Sequence, residues 1–235
     1  MSTGGALDLF ARLSHTGSRM SRTEPFANAS TPLRLNDVAP GFHARTTLGE
    51  VSLADYRGRW LVFFSHPADF TPVCTSEFMA FSAAQPRFEA IGCDLLALSV
   101  DGLFSHLAWI RDIRDRFGVT VNFPLIEDPS MAIARGYGMV GAEAGDSATV
   151  RATYVIDPQG VIRAISWYPM NVGRSVEELL RLVAALQAVD QTDTGTPEGW
   201  QPGGRRLQSA AVDSGTALAL QPGQGEAWYY LWCQA

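Results

Sequence analysis

One stretch limits this chain more than any other. The apolar run Trp60–Phe64 is followed directly by Ser65-His66-Pro67-Ala68-Asp69-Phe70-Thr71-Pro72-Val73-Cys74-Thr75-Ser76-Glu77. The run is short, unbroken and bulky, the pattern of a strand buried on both faces. Behind it Cys74, Phe78, Phe81, Phe88 and Ile91 fall roughly on one helical face. Thr71 and Pro72 are the residue types preferred at the cap and first position of a helix. Cys74 then stands in the first turn, where unpaired amides and the helix dipole favour an anion, here the nucleophilic thiolate. The competing reading is a small buried hydrophobe without chemistry, as most free cysteines are, with Thr71 no more than a cap.

The rest of the chain is built around this unit. Residues 1–31 are rich in Ser, Thr, Gly and Ala and carry Arg12, Arg19 and Arg22, but have no secretory apolar core or cleavage site. They have the flavour of a transit peptide but read first as a mobile or partner-packing extension, with a targeting signal the alternative and a turn or two of helix near Asp8–Leu13. From Leu33 a folded domain is expected to run to Asp190. Phe42–Thr46 and Glu50–Leu53 around Leu48-Gly49 predict a hairpin. Pro86 lies inside the pattern of the Cys74 helix, which predicts a kink or break near Gln85. Asp94–Val100 reads as a second apolar strand, with Cys93 structural at its edge. Leu103, Leu107, Ile110, Ile113 and Phe117 space out an amphipathic helix, on which His106 reads as a solvated surface residue. A short strand at Phe123–Ile126, a short helix at Met131–Gly136 and a Gly/Ala-rich loop over Val140–Ala148 follow. Thr153–Ile156 and Val161–Trp167 flank Asp157-Pro158-Gln159-Gly160, a hairpin with turn chemistry. Ser175 and Glu178 form a capping box for a last helix with Val176, Leu179, Leu180, Val183 and Leu186 inward. Alternating strands and helices closed by a hairpin and helix predict an α/β sandwich with a mixed sheet.

Composition removes several classes of function. Hydrophobic residues make up 46% and charged residues 18% of the 235, a globular balance. A net charge of −6 argues against general nucleic-acid binding. No apolar stretch reaches the roughly 18 residues of a membrane span. The three cysteines, Cys74, Cys93 and Cys233, form neither a disulfide framework nor a C-x-x-C pair, which points to a reducing, cytoplasmic setting. The four histidines show no metal-ligand spacing, so neither metal nor cofactor is expected.

The string around Cys74 resembles the P-x-x-x-T-x-x-C active-site motif of the peroxiredoxins, with Pro67, Thr71 and Cys74 in register. The flanking His66 and Thr75-Ser76-Glu77 resemble the one-cysteine class, and the likeness runs from about Leu33 to Trp200. It implies a thioredoxin-like fold and a thiol peroxidase reducing hydrogen peroxide and alkyl hydroperoxides through a cysteine sulfenic acid, in antioxidant defence. It assigns Cys74 as the peroxidatic nucleophile, Thr71 to the peroxide and Pro67 to shielding the sulfur. Arg151, just before Ala152-Thr153-Tyr154-Val155-Ile156-Asp157, takes the place of the family's arginine; read without the family it would be a solvated strand-edge residue. Arg174 matches a second arginine, Glu77 is one turn from Cys74 and placed to orient Arg151, and His66 lines the pocket rather than acting as a base. Where relatives with phospholipase activity carry a serine, this chain has Arg59, so no lipase activity is expected.

After Asp190 the composition turns to Thr, Pro and Gly, then to the aromatic stretch Glu226–Cys233. In the one-cysteine class such an arm, opening near a Thr-Pro-x-x-Trp pattern matched here by Thr196–Trp200, wraps a partner subunit. The resemblance therefore implies a homodimer or larger homo-oligomer with a C-terminal dimerisation arm over 191–235. It also implies an external thiol reductant of thioredoxin, glutaredoxin or glutathione type. Cys233 is the one candidate for a resolving cysteine, and a terminal cysteine without a role is its alternative. Two other classes stand beside the peroxidase. One is a thiol–disulfide oxidoreductase, disfavoured by Thr71-Pro72-Val73-Cys74 in place of C-x-x-C. The other is a non-enzymatic redox adaptor or holdase using the aromatic tail.

Overall fold

The computed structural model describes residues 32–141, 145–210, 213–219, 227 and 229–233. The extension expected over 1–31 lies outside the described residues, as do Glu226 and Trp228 of the aromatic stretch Glu226–Cys233. Strands β1 (His43–Thr46) and β2 (Gly49–Ser52) form the first hairpin. Then β3 (Trp60–Ser65) leads into α1 (Pro72–Ala90), β4 (Cys93–Ser99) into α2 (Leu103–Phe117), and β5 (Leu125–Glu127) into the short α3 (Ala132–Gly136). A second hairpin, β6 (Arg151–Ile156) and β7 (Ile162–Tyr168), precedes α4 (Val176–Val189). Two-residue strands β8 (Thr194–Gly195) and β9 (Leu207–Gln208) pair with each other, and α5 (Ser214–Ala219) follows.

Seven strands form one sheet in the order β2-β1-β5-β4-β3-β6-β7. β3 lies near its centre, parallel to β4 and antiparallel to β6. The sheet is therefore mixed and flanked by helices, the thioredoxin-like α/β arrangement. All six residues of β3 are buried, because both faces of the sheet are covered. Its side chains alternate: Val62 and Phe64 join the cluster under α1, α2 and α4, and Leu61 and Phe63 the cluster on the opposite face. Phe64 stacks on Phe81 at 4.2 Å between centroids, and Phe63 meets Tyr137 edge-on at 4.9 Å. Each fully buried ring of this kind is worth about 1.5–3 kcal/mol of transfer free energy. The Asp157–Gly160 turn closes through Asp157, whose Oδ1 accepts from the Gln159 and Val161 amides, with Gly160 at φ 77°.

Three local expectations are corrected. Pro86 does not break α1, which runs on to Ala90; the missing amide falls in the last turns, and the apolar face of Phe81, Ala84 and Phe88 keeps the helix on the sheet. On α2 the buried face is His106, Trp109 and Ile113, while Leu107 and Phe117 are exposed. Spacings of 3 and 4 fit that set as well as the one expected, and the large Trp109 decides which face turns inward. For α4, Ser175 caps by accepting from the Glu178 amide, but the Glu178 carboxylate pairs with Arg181 instead of closing the box. No helix among the described residues is long and apolar enough to cross a membrane.

Candidate active site

The site forms where β3 ends and α1 begins. Ser65 is the last residue of β3; its hydroxyl donates to the Val150 carbonyl and accepts from the Ala152 amide, which ties the strand end to the start of β6. The chain then turns through buried His66 and Pro67 and reaches Phe70 at φ 55°, a left-handed conformation that costs a non-glycine residue about 1–2 kcal/mol. Thr71 is the helix cap and Pro72 its first residue, as the sequence indicates. The Thr71 hydroxyl does not cap: it donates to the Ala68 carbonyl at 2.9 Å, which leaves its oxygen lone pairs for another donor. Cys74 stands in the first turn with its side chain fully buried.

Arg151, the first residue of β6, is buried rather than solvated at a strand edge. Its Nη1 donates to Cys74 Sγ at 3.4 Å and to Glu77 Oε2 at 2.7 Å. Its Nε and Nη2 both donate to the Met170 carbonyl, at 3.0 and 2.7 Å, which fixes the plane of the guanidinium. Arg174 comes from the loop after β7 and takes Glu77 in two-pronged fashion, Nε to Oε1 at 2.9 Å and Nη2 to Oε2 at 2.7 Å. Its Nη1 donates to the Ala152 carbonyl and the Thr153 hydroxyl, and its guanidinium lies 5.0 Å above the Phe64 ring. Gly173 carries this loop close over α1, where even a Cβ would only reach ordinary contact with Val73 Cγ1, at 3.4 Å. Burial pushes the Glu77 carboxyl up, but the hydrogen bonds and charge of Arg174, with the charge of Arg151, hold it below the usual carboxylate value. Two buried cations thus share one buried carboxylate, beside one sulfur.

A second buried group lies behind the first. His106, expected on the surface, is completely buried: Asp69 and the Ile126 carbonyl supply the polar partners that water would have given. Its Nδ1 is 2.8 Å from Asp69 Oδ2, while Asp69 Oδ1 is 2.9 Å from His66 Nε2. Nothing in the sequence but its place within the motif, three residues after His66, marks Asp69 for this position. His66, Asp69 and Asp101 are close enough to hold a cation. However, both Asp69 oxygens face histidines, and Asp101 Oδ2 accepts from the Asp69 amide and the Ser99 hydroxyl, so the donor set is already committed. Burial pushes the Cys93 thiol up to about 12 and leaves it inert. Cys233 is half-buried in the C-terminal segment, its amide bonded to the Arg206 carbonyl.

The sequence profile of the AhpC/TSA family matches residues 35–165. A peroxiredoxin of Thermoplasma volcanium is 40% identical over 200 residues, 85% of this chain and 98% of that one. The chain belongs to the peroxiredoxins of the AhpC/TSA family. It is therefore a thiol-dependent peroxidase. Peroxiredoxin 2 of Thermoplasma acidophilum is 42% identical over 83% of this chain and 98% of its own. Among solved structures, a yeast mitochondrial 1-Cys peroxiredoxin described with a thiol resolved via glutathione/thioredoxin systems is 41% identical, with a TM-score of 0.76 over 85% of this chain and 98% of that one. Peroxiredoxin 6 of Arenicola marina is 34% identical, with a TM-score of 0.72 over 81% of this chain and 90% of that one.

Proposed function

We propose that this peroxiredoxin reduces hydrogen peroxide and alkyl hydroperoxides at Cys74. The observation that carries the proposal is the pairing of Cys74 Sγ with Arg151 Nη1 in a buried site holding two guanidiniums and one carboxylate. Arg151, Arg174 and Glu77 sum to one positive charge, and a thiolate at Cys74 neutralises it. Burying a net charge is far more costly than burying a balanced set, so the two guanidiniums and one carboxylate suit a step in which negative charge develops beside Arg151. The thiolate attacks the hydroxyl oxygen of the peroxide; the O–O bond breaks and its electron pair leaves with the other oxygen, which takes a proton from water. Cys74 becomes the sulfenic acid, and the peroxide is reduced to an alcohol or water. Arg151 stabilises charge on sulfur and on the leaving oxygen, and Glu77 with Arg174 holds it in place. Thr71 Oγ1 accepts the peroxide O–H, and Pro67 keeps water from the sulfur.

An external thiol then reduces the sulfenic acid, by likeness to the yeast relative. The alternative inside the chain is Cys233, and the packing argues against it. Arg206, bonded to the Cys233 amide, reaches the Ala188 carbonyl at the end of α4, and neighbouring Gln187 bonds the Ile91 carbonyl just past α1. Cys74 opens that helix, 17 residues and about 25 Å away along the axis. A disulfide needs Cα atoms within about 7 Å. The same reading carries a homo-oligomer, supported by Trp167, Met170 and Val172, apolar residues left exposed on and after β7. Peroxide turnover with a thiol reductant tests the proposal: Cys74→Ser should abolish it, and turnover retained by that variant would refute the assignment.

A further inference from the structure

Ser65 breaks the character of β3. The five residues before it, Trp60 to Phe64, are bulky and apolar, and Ser65 is buried as they are, with no exposed surface. A hydroxyl taken out of water is costly unless hydrogen bonds replace the water, so its partners carry the explanation. Its Oγ donates to the Val150 carbonyl at 2.7 Å and accepts from the Ala152 amide at 3.2 Å. Those two backbone groups stand on either side of Arg151. They also bond each other, the Ala152 amide to the Val150 carbonyl at 3.0 Å, so the chain makes a γ-turn with Arg151 at its centre. The Ser65 hydroxyl meets both ends of that turn and closes a triangle of three hydrogen bonds.

The turn sits where the sheet stops helping. The ladder between β3 and β6 runs from Leu61 opposite Ile156 to Phe64 opposite Thr153. Ala152 and Arg151 come next, past the end of that ladder, and there β3 offers them the Ser65 side chain in place of backbone. The residues leading in are tied as well: the Thr149 hydroxyl donates to the His66 carbonyl at 2.8 Å, and the Val150 amide donates to the Met139 carbonyl at 2.9 Å. At the far end of the Arg151 side chain the Met170 carbonyl and Glu77 hold the guanidinium. Resting on the reading of Cys74 as the peroxidatic nucleophile and Arg151 as its cation, we propose that Ser65 is a positioning residue for Arg151. It fixes the backbone from which the guanidinium reaches the sulfur, 3.4 Å away. The end of β3 thus places both partners: Cys74 through the chain that follows it, and Arg151 through the Ser65 hydroxyl. Displacements of about 1 Å in such an arrangement are enough to slow a reaction.

A double-mutant cycle on the full-length protein tests this, with the second-order rate of oxygen gain at Cys74 as the measurement. Ser65→Ala should slow the reaction with hydrogen peroxide about fivefold, the order of one neutral hydrogen bond. In an Arg151→Met background the same change should cost less than about twofold, because the group it positions is gone. A fivefold loss in both backgrounds would mean a structural role only, and no loss in either would equally overturn the proposal. Proton–nitrogen NMR of the arginine side chains reads the same point without turnover. The Nε–H resonance of Arg151, assigned by its absence from Arg151→Met, should move or broaden in Ser65→Ala, while that of Arg181, paired with Glu178 on α4, stays in place. An Arg151 resonance unmoved by Ser65→Ala would overturn the positioning role. Ser65→Cys, which keeps a weak donor at similar volume, carries the same cycle with a smaller loss if Ser65→Ala does not fold. Arg151→Met reacting at the parent rate would instead refute the reading of the Cys74 site, and this inference with it.

Discussion

Arg151 Nη1 lies 3.4 Å from Cys74 Sγ while donating to Glu77 at 2.7 Å. One nitrogen thus joins the Cys74 sulfur to the Glu77 carboxylate, and the rest of the guanidinium is pinned to the Met170 carbonyl. Arg151→Met should lower the second-order rate constant with hydrogen peroxide by about 10²–10³-fold, the usual cost of removing one preorganised donor to developing charge. Stopped-flow mixing on protein shown by circular dichroism to be folded would measure it. Arg151→Lys should recover little, because an ammonium cannot reach Met170, Glu77 and the sulfur in one plane.

Glu77 is the keystone of the charges. Replacing it with Gln leaves two buried guanidiniums without their counter-ion, and should cost about 3–5 kcal/mol of stability in urea denaturation. The pH dependence follows from the same carboxylate. Burial raises its value, but the hydrogen bonds and charge of Arg174, with the charge of Arg151, depress it below the ordinary 4.5 in the folded protein. The stability it contributes is therefore complete above pH 4.5 and is lost as pH falls through the folded value. The parent should unfold more steeply on acidification than Glu77→Gln, with buried Asp69 and the ion-paired surface carboxylates such as Glu127 supplying the acid dependence that remains. Superimposable acid profiles would contradict this.

The cysteines should separate by reactivity. Cys93, fully buried with its thiol pushed to about 12, should resist alkylation in the folded protein at neutral pH. Cys74, buried but paired with Arg151, should react with small reagents and more slowly with bulky maleimides. Mass spectrometry of timed, quenched reactions would show the order, and modification of Cys93 ahead of Cys74 would be inconsistent with the site.

The proposed resolution by an external thiol predicts that Cys233 is dispensable. Cys233→Ser should retain peroxide turnover with a dithiol or glutathione system to within about twofold, since no bond of the site involves it. Intact-mass analysis showing a Cys74–Cys233 disulfide in the oxidised parent would transfer resolution to the C-terminal segment.

Much of this was legible in the residues because the constraints are local. The bulky run Trp60–Phe64 can only be a covered strand, and Thr71-Pro72 can hardly do other than start a helix, so Cys74 at its first turn was readable without coordinates. Arg151 and Arg174 were found through the family pattern rather than through physics, because an arginine carries no sequence signal of the carboxylate it will meet 74 or 97 positions away. His106 was misread for the same reason: its partners, Asp69 and Ile126, come from other elements, and nothing on α2 announces them. The α2 pattern admitted two faces, and only the sheet beneath it selected Trp109 over Leu107. Pro86 shows the converse, a strong local breaker overruled by the packing of Phe81 and Phe88 on either side.

The most direct test of Cys74 as the peroxide-reducing thiolate is a single turnover. Reduced protein would be mixed with one equivalent of hydrogen peroxide, quenched under denaturing, thiol-blocking conditions, and weighed intact, with Cys74→Ser alongside. The expected result is rapid gain of one oxygen, mapped to Cys74 and absent from the variant. Peroxide consumed equally fast by Cys74→Ser, or no oxygen gained at Cys74, would contradict it.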